Sequence, residues 1–392
     1  MSLASDLNTE LKKMTKKRNI LILMPSLRAG GAERTLINLL QKIDSNRYNI
    51  DLYVISKMGP YVKEVPEYVD VTYFFKNEFI ARFLGYIHRK YNFNWIFKRK
   101  MQSIEKMYDV GISYLDANFT DLLFYTDNIK KRVTFIHSSY KTHDNYDRFY
   151  SQKDYNQKLR KNRYSKLDAI YFVSDDAMTE FIEVFGEYSK MRVINNMIDR
   201  DAILRKSRES AEFKGRQSFS FSAVGSLMAV KGFDRLIRAA SILKEKGYRF
   251  SIELAGAGEE AVNLRQLITN LNMKDTVFLH GFVSNPYPLM KNSDAFVMSS
   301  ISEALPTVLC EAMILGLPTI VTNCSGCRGL VNSGEYGLMA EQDDADLANK
   351  MMVFLDQPDT LEYFRKKSLE RSKLFDDKQI LSKYYEIFEG KI

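Results

Sequence analysis

Two glutamates separated by seven residues, Glu303 and Glu311, mark the most informative segment of the chain, SEALPTVLCEAMILGLPTI from Ser302. Glu303 follows the short apolar run Ala295–Ser299, which reads as a strand, and open α/β sheets hold ligands beyond the carboxyl ends of their strands. Glu311 lies among Val308, Leu309, Ala312, Met313 and Leu315. An unpaired carboxylate there would be destabilising, so polar partners are expected for it. Vicinal hydroxyls, as on a sugar or a ribose, suit a carboxylate because it can accept from both. The plainer alternative is a pair of surface glutamates on one helical region.

Other residues fit the same kind of site less specifically. Gly30 and Gly31 sit between the apolar run Asn19–Met24 and a helical pattern, Ala32 to Ile43. Glycines there let a ligand approach the backbone, and the helix they open offers free N–H groups and a positive dipole end. It is also an ordinary turn. Gly256, Gly258 and Ala261 fit G-x-G-x-x-A, with Asp275 downstream, but they follow the second strand of their domain. The dinucleotide fingerprint belongs to the first turn, so such a site is not expected here. His137, one of four histidines, ends the run Val133–Ile136; a core or loop histidine is nearly as good a reading. Cys324 and Cys327 form a C-x-x-C with no second pair and no nearby histidine, and only Cys310 remains. Neither zinc nor a disulfide framework is expected, and a reducing cytoplasm is the default compartment.

Positioning these residues takes two domains, which a chain of 392 residues can supply. At 45% hydrophobic and 27% charged it has the balance of a folded protein. It holds no run of about 18 uncharged apolar residues such as a membrane-crossing helix needs. Strands are expected at Asn19–Met24, Ile50–Ser56, Val69–Phe75, Val110–Tyr114, Val133–Ile136 and Ala169–Ser174, separated by helices or loops. A charged break without periodicity, Asp201–Arg216, precedes a second series: Ser218–Gly225, Phe250–Gly256, Val277–His280, Ala295–Ser299 and Thr319–Thr322. Alternation of this kind implies parallel sheets covered by helices. The stretch Thr360 to Ile392 reads as helical. The expected organisation is a tail or tag over 1–18, Rossmann-like domains over 19–200 and 201–375, and a closing helix over 376–392.

The segment around Glu303 resembles the E-x7-E motif of the family 4 glycosyltransferases, often written E-G-L-P followed by E-A. The resemblance runs through most of the chain. Gly30-Gly-Ala-Glu33-Arg34 is similar to the family's N-terminal glycine loop, and Gly225 to Ile237 is similar to its G-R-L-x(n)-K-G-x-D-x-L-I segment. Ile194 to Asp199 resembles its interdomain I-P-N-P-I-D turn, with Asn196, Ile198 and Asp199 retained. The resemblance implies a GT-B fold: two Rossmann-like domains with a cleft between them and a last helix crossing back to the first. It further implies retaining transfer of a hexose or N-acetylhexosamine from a nucleoside diphosphate sugar, UDP favoured, to a hydroxyl. Glu311 would hold the ribose, Glu303 the donor sugar, Lys231 the diphosphate, and His137 would lie near the sugar. Gly256 and Gly258 would line the nucleotide pocket, Phe282 and Val283 would lie beside the base, Ala304 would lie near the donor phosphate, and Leu305, Pro306 and Thr307 would belong to the same nucleotide-sugar site. No metal or other cofactor is implied. Two departures stand out. Ser226 replaces an arginine usual in the family, a loss that could weaken leaving-group stabilisation by a few kcal/mol, and Ala304 replaces the glycine of E-G-L-P. Arg328 matches the arginine of a P-R-E motif.

The formal charge is +8, and its location bears on partners. Residues 80–106 carry Arg82, Arg89, Lys90, Lys98, Arg99, Lys100 and Lys106 against Glu105 alone, interleaved with Phe83, Tyr86, Tyr91, Phe93, Trp95 and Phe97. A second basic stretch covers Lys153–Lys166. Such mixtures suit an anionic bilayer surface, and nucleic acid less well; a helix whose aromatics are core is the bland alternative. The expected partners are a nucleotide-sugar, a glycan, lipid-linked or protein acceptor, and a membrane surface, with no nucleic acid. The expected place is the cytoplasm, on the inner face of the plasma membrane. The rival reading, prompted by Ser226, is a non-catalytic GT-B subunit that binds acceptor, membrane or a partner enzyme.

Overall fold

The structure, a computed structural model, describes residues 17–28, 30–91, 93–116, 118–140, 161–210 and 218–392. The expected tail therefore lies outside the described residues except for Lys17 and Arg18, and Arg18 already opens the first strand. Most of the basic stretch at 153–166 also lies outside them. The chain divides into two compact units, one of residues 1–173, 178–197 and Lys378–Ile392, the other of Ser174–Ala177 and Ile198–Asp377.

In the first unit seven parallel strands, β1 (Arg18–Met24), β2 (Tyr48–Ser56), β3 (Asp70–Phe75), β4 (Tyr108–Ser113), β5 (Ile129–Ile136), β6 (Ala169–Phe172) and β7 (Met191–Val193), lie in the order β3-β2-β1-β4-β5-β6-β7. Residues Ile20 to Met24 are all buried, as expected of a parallel strand covered on both faces. The helices are α1 (Gly31–Lys42), α2 (Glu78–Tyr91), α3 (Trp95–Gln102) and, from Met178 on, α4 (Asp175–Phe185). Leu36, Ile37, Leu39 and Leu40 of α1 pack into one core with Ile20, Ile22, Leu52 and Val110.

The second unit repeats this plan with β8 (Ser220–Val224), β9 (Ser251–Ala255), β10 (Val277–Gly281), β11 (Ala295–Met298), β12 (Thr319–Thr322) and β13 (Leu338–Ala340), ordered β10-β9-β8-β11-β12-β13. Its helices are α5 (Arg200–Lys206), α6 (Phe233–Glu245), α7 (Ala261–Asn270), α8 (Tyr287–Lys291), α9 (Thr307–Ile314), α10 (Ser325–Val331), α11 (Asp344–Asp356) and α12 (Pro358–Arg371). Both strand orders are of the Rossmann type, with a reversal beside the first strand of each sheet.

Three sequence expectations need correction. The break at 201–216 begins as helix α5, which Asp199 caps by accepting the Ala202 N–H at 3.1 Å. The run is too short for its period to show. β7 and β13 lie at sheet edges and are three residues each, too short for their pattern to announce a strand. The helical stretch from Thr360 is two helices, because a tight turn at Ser372–Phe375 separates α12 from α13 (Asp377–Phe388). The last helix adds Ile380, Tyr384, Ile387 and Phe388 to the first unit's core. Tyr384 stacks on Phe135 with ring centroids 5.3 Å apart.

Candidate functional site

The second sheet reverses its order between β8 and β11, so the loops leaving these strands flank the place where open α/β sheets hold ligands. The β8 loop runs through Gly225 and the exposed Ser226 to a tight turn, Ala229–Lys231. Gly232 then caps α6 with φ +59°, and a Cβ there would stand 2.2 Å from the Ser299 carbonyl oxygen. Only glycine tolerates both that backbone and that approach. The Ser299 hydroxyl donates to the Lys231 carbonyl at 3.0 Å. The two loops thus meet, and the Lys231 ammonium lies 2.6 Å from Glu303 Oε1. Ser300 Oγ donates to the same oxygen at 2.8 Å. With side chains 23% and 12% exposed, each charge is partly desolvated and depends on the other.

Gly256 and Gly258 have a packing role. A Cβ on Gly256 would lie 1.9 Å from the Gly225 oxygen, and one on Gly258 would lie 2.3 Å from the Leu227 oxygen. The backbone of this turn is already committed: Gly225 N–H donates to Ala255 O, Leu227 N–H to Ala257 O, and Gly256 N–H to Gly281 O. Asp275, the acid that a dinucleotide site would need, instead pairs with Lys244. Phe282, after Gly281 at φ +75°, is 71% exposed, and Val283 is half-buried.

Ala304, Leu305 and Pro306 are buried and lead into α9, whose first residue is Thr307. Glu311 sits within that helix, half-buried. The Glu303 carbonyl accepts the Gly326 N–H at 2.9 Å, which seats α10 against this loop. Cys324 and Cys327, free and buried, therefore adjoin the ion pair. A hydrogen bond with Cys324, burial and the Glu303 charge push the Cys327 thiol well up, with Lys231 opposing; it is a poor nucleophile. Arg328 is exposed, and its Nε donates to Asn323 at 2.9 Å.

The remaining expected residues belong to the first unit. Gly30 caps α1, and a Cβ there would stand 2.2 Å from Glu33 Oε2; Gly31 is the helix's exposed first residue. Burial lifts the Glu33 carboxyl above the usual carboxylate range, against its own backbone N–H and Arg28. Arg34 is engaged elsewhere, forked onto Glu64 and lying 4.0 Å over the Tyr61 ring. His137 directly follows β5, with its ring 5.1 Å from that of Tyr114. Burial pushes it down to about 3, partly opposed by a hydrogen bond with the Tyr114 backbone, so the imidazole is neutral at physiological pH. Its Nε2 is buried without a partner among the described residues.

Sequence reasoning gave no role to Ser299 and Ser300 and carried Gly232 only as part of the K-G match, yet these three hold Lys231 against Glu303. A signal existed, since two serines directly follow the strand at the reversal. It also missed Asp116, just past β4, which accepts from the hydroxyls of Tyr140 and Tyr164 at 2.7 Å each.

Two family models match the chain, one described as Glycosyltransferase Family 4 over residues 29–202 and one as Glycosyl transferases group 1 over residues 205–371. An uncharacterised glycosyltransferase of Methanocaldococcus jannaschii is 28% identical over 239 residues, 52% of this chain and 59% of that protein. The N-acetylgalactosamine-N,N'-diacetylbacillosaminyl-diphospho-undecaprenol 4-alpha-N-acetylgalactosaminyltransferase of Campylobacter jejuni is 29% identical over 220 residues, 55% of this chain and 59% of that one. The chain thus spans about six-tenths of the length of these curated relatives. Among solved structures, Anabaena HepE in complex with UDP and glucose shares the fold, with a TM-score of 0.72 at 20% identity over 95% of this chain and 100% of that one.

Proposed function

Since the chain belongs to the group 1 and family 4 glycosyltransferases, we propose that it moves a hexose or N-acetylhexosamine from a nucleoside diphosphate sugar, UDP first, to a hydroxyl, with retention of the anomeric configuration. The carrying observation is the Lys231–Glu303 pair with Ser300 at the reversal of the second sheet. There a cation and a carboxylate are held by backbone and hydroxyl contacts within the chain itself, which is the preorganisation that transition-state stabilisation requires. In this reading Lys231 turns to the departing diphosphate, Glu303 to the sugar hydroxyls, and Glu311 to the ribose. The glycosidic C–O bond breaks toward the phosphate. A phosphate oxygen then takes the proton of the incoming hydroxyl, which attacks the same face of the sugar. Glu303 positions the sugar and forms no bond to it. Protein cations and helix N-termini hold the diphosphate in place of a divalent metal.

The setting is the assembly of a cell-surface glycan on a lipid-linked acceptor at the inner face of the membrane. The name of the Campylobacter relative, which specifies a diphospho-undecaprenol acceptor, supports that part.

Thermal unfolding with UDP, GDP and ADP, on wild type and on Glu311→Ala, tests the reading. A nucleotide at a hundredfold excess over its Kd should stabilise the chain by about 2.7 kcal/mol. Stabilisation by one nucleotide, lost in Glu311→Ala, is the expected result. Indifference to all three would favour a subunit that binds but does not transfer.

A further inference from the structure

We propose that Cys324 and Cys327 are a redox modification site, a pair that closes into a reversible disulfide and thereby loosens the loop carrying Glu303. The bridge stands on the two cysteines and their surroundings; its effect on UDP rests on the reading above. Both cysteines are free and buried. They lie where β12 turns into α10, Cys324 as the residue before the helix and Cys327 in its first turn. A C-x-x-C at a strand-to-helix turn beside a parallel sheet is the arrangement of dithiol redox pairs. The turn brings the sulfurs together, and a hydrogen bond links the two thiols. Cys310, the remaining cysteine, lies fully buried in α9, where burial and then the Glu311 charge hold its thiol well above the ordinary value. It is the unreactive comparison.

Cys327 has no exposure and Cys324 keeps 5%, so an oxidant as small as hydrogen peroxide meets Cys324 first. The Cys324 thiol takes one oxygen from the peroxide, giving a sulfenic acid and one water. The Cys327 sulfur then attacks the Cys324 sulfur. The S–O bond breaks, the S–S bond forms, and the Cys327 proton leaves with the hydroxyl as a second water. Two thiols are oxidised and one peroxide is reduced.

The bridge cannot close without moving its neighbours, because sulfurs at hydrogen-bonding separation must come to about 2.05 Å. Cys327 Sγ lies 3.8 Å from Met298 Sδ, at the end of β11 and one residue before Ser299. Between the cysteines, Gly326 donates its N–H to the Glu303 carbonyl at 2.9 Å, and a Cβ there would stand 2.3 Å from the Ala304 oxygen. Drawing the sulfurs together therefore pulls on both ends of the 299–304 loop, which sets Glu303 against Lys231.

Peroxide treatment of the full chain, then alkylation with N-ethylmaleimide in denaturant and peptide mass analysis, tests this. Cys324 and Cys327 should be lost together as one bridged peptide, with Cys310 alkylated, and dithiothreitol should restore both. The amides of Gly326 and Ile301, bonded to the Glu303 and Val230 carbonyls, should exchange with deuterium faster in the oxidised chain. UDP affinity should fall on the order of tenfold. Cys324→Ala and Cys327→Ala should each prevent the bridge and leave UDP affinity indifferent to peroxide. Should either variant fail to fold, restoration of slow exchange by dithiothreitol in the wild type makes the same comparison. Three free thiols after peroxide, or a sulfinic acid at Cys324 without a bridge, would overturn the proposal. So would a bridge that leaves Gly326 exchange and UDP affinity unchanged. If no nucleotide stabilises the reduced chain, the transferase reading fails alone, because the bridged peptide and Gly326 exchange still decide the switch.

Discussion

Lys231 and Glu303 are 72 residues apart in sequence, yet the Lys231 ammonium sits 2.6 Å from Glu303 Oε1. The pair forms because Gly232 allows the Ser299 carbonyl to approach and Ser299 and Ser300 bind one partner each. Lys231→Ala leaves a mostly buried carboxylate held by the Ser300 hydroxyl without its counter-charge, which should destabilise the chain by about 1–3 kcal/mol. Turnover of the donor sugar should fall further, on the order of 10²–10³-fold, through lost stabilisation of the leaving group. In Glu303→Gln the stability loss should be smaller, because the ammonium left without its carboxylate is the more exposed of the two, 23% against 12%, and the carboxamide oxygen can still accept from it. A thermal melt and a donor-hydrolysis assay on both variants would measure this. Equal stability losses would mean that the pair does not couple the two loops.

Ser226 is exposed on the β8 loop, five residues before Lys231. Arg328, the cation that could have stood in for the missing arginine, has its Nε held by Asn323. Ser226→Arg should therefore raise turnover if the diphosphate lies across this loop, by up to about a hundredfold for one added charge-assisted donor. Steady-state kinetics with the UDP-sugar would show it, and an unchanged rate would mean that Lys231 suffices.

His137 carries a pH signature. Its folded value is about 3, below the ordinary value of about 6.5 in an unfolded chain. Above about 6.5 both states are neutral, and the residue contributes no slope. As pH falls from there toward 3, the unfolded chain binds a proton that the folded chain does not, and stability is lost progressively. His137→Gln should flatten the fall in melting temperature between pH 6.5 and pH 4 relative to wild type, a difference of order 1–3 kcal/mol. Parallel curves for the two proteins would place the imidazole in contact with water.

The legible and illegible parts of the site divide along physical lines. β1, α1 and β12 could be read because buried parallel strands are apolar runs and α1 shows its face at helical spacing. Glu303 and Glu311 stood out as carboxylates in apolar company beside a strand end. What the chain brings together across 72 residues leaves no local trace, so the Lys231–Glu303 pair and its serine supports had to be seen in three dimensions. The glycines of the G-x-G turn were visible, but not the cause. Gly256 and Gly258 allow the Gly225–Leu227 loop to pass within bonding distance of their own.

That close approach makes Gly256→Ala a sharp test. Its added carbon would meet the Gly225 oxygen at 1.9 Å, a contact between backbone atoms that no rotamer change can relieve. The β8 loop must move, at a cost of about 1–3 kcal/mol for overpacking. Because Ser226 and Lys231 ride on that loop, UDP affinity should fall together with stability. Calorimetric titration with UDP, on protein confirmed folded, would test this; unchanged affinity would detach the loop from the nucleotide.

Tyr384 shows how far the closing helix belongs to the first unit. It is 1% exposed, stacks on Phe135, and its hydroxyl donates to that of Tyr114 at 3.4 Å. Removing the ring in Tyr384→Ala leaves a cavity between α13 and the sheet, worth about 3–5 kcal/mol by analogy with other buried aromatics. Tyr384→Phe keeps the packing and gives up one hydrogen bond, about 1 kcal/mol. Urea unfolding of both variants would separate packing from polarity. If α13 merely lies on the surface, the two losses will be alike and small. If it completes the core, the alanine variant will lose several times more, and β1 to β7 will unfold with the last helix of the chain.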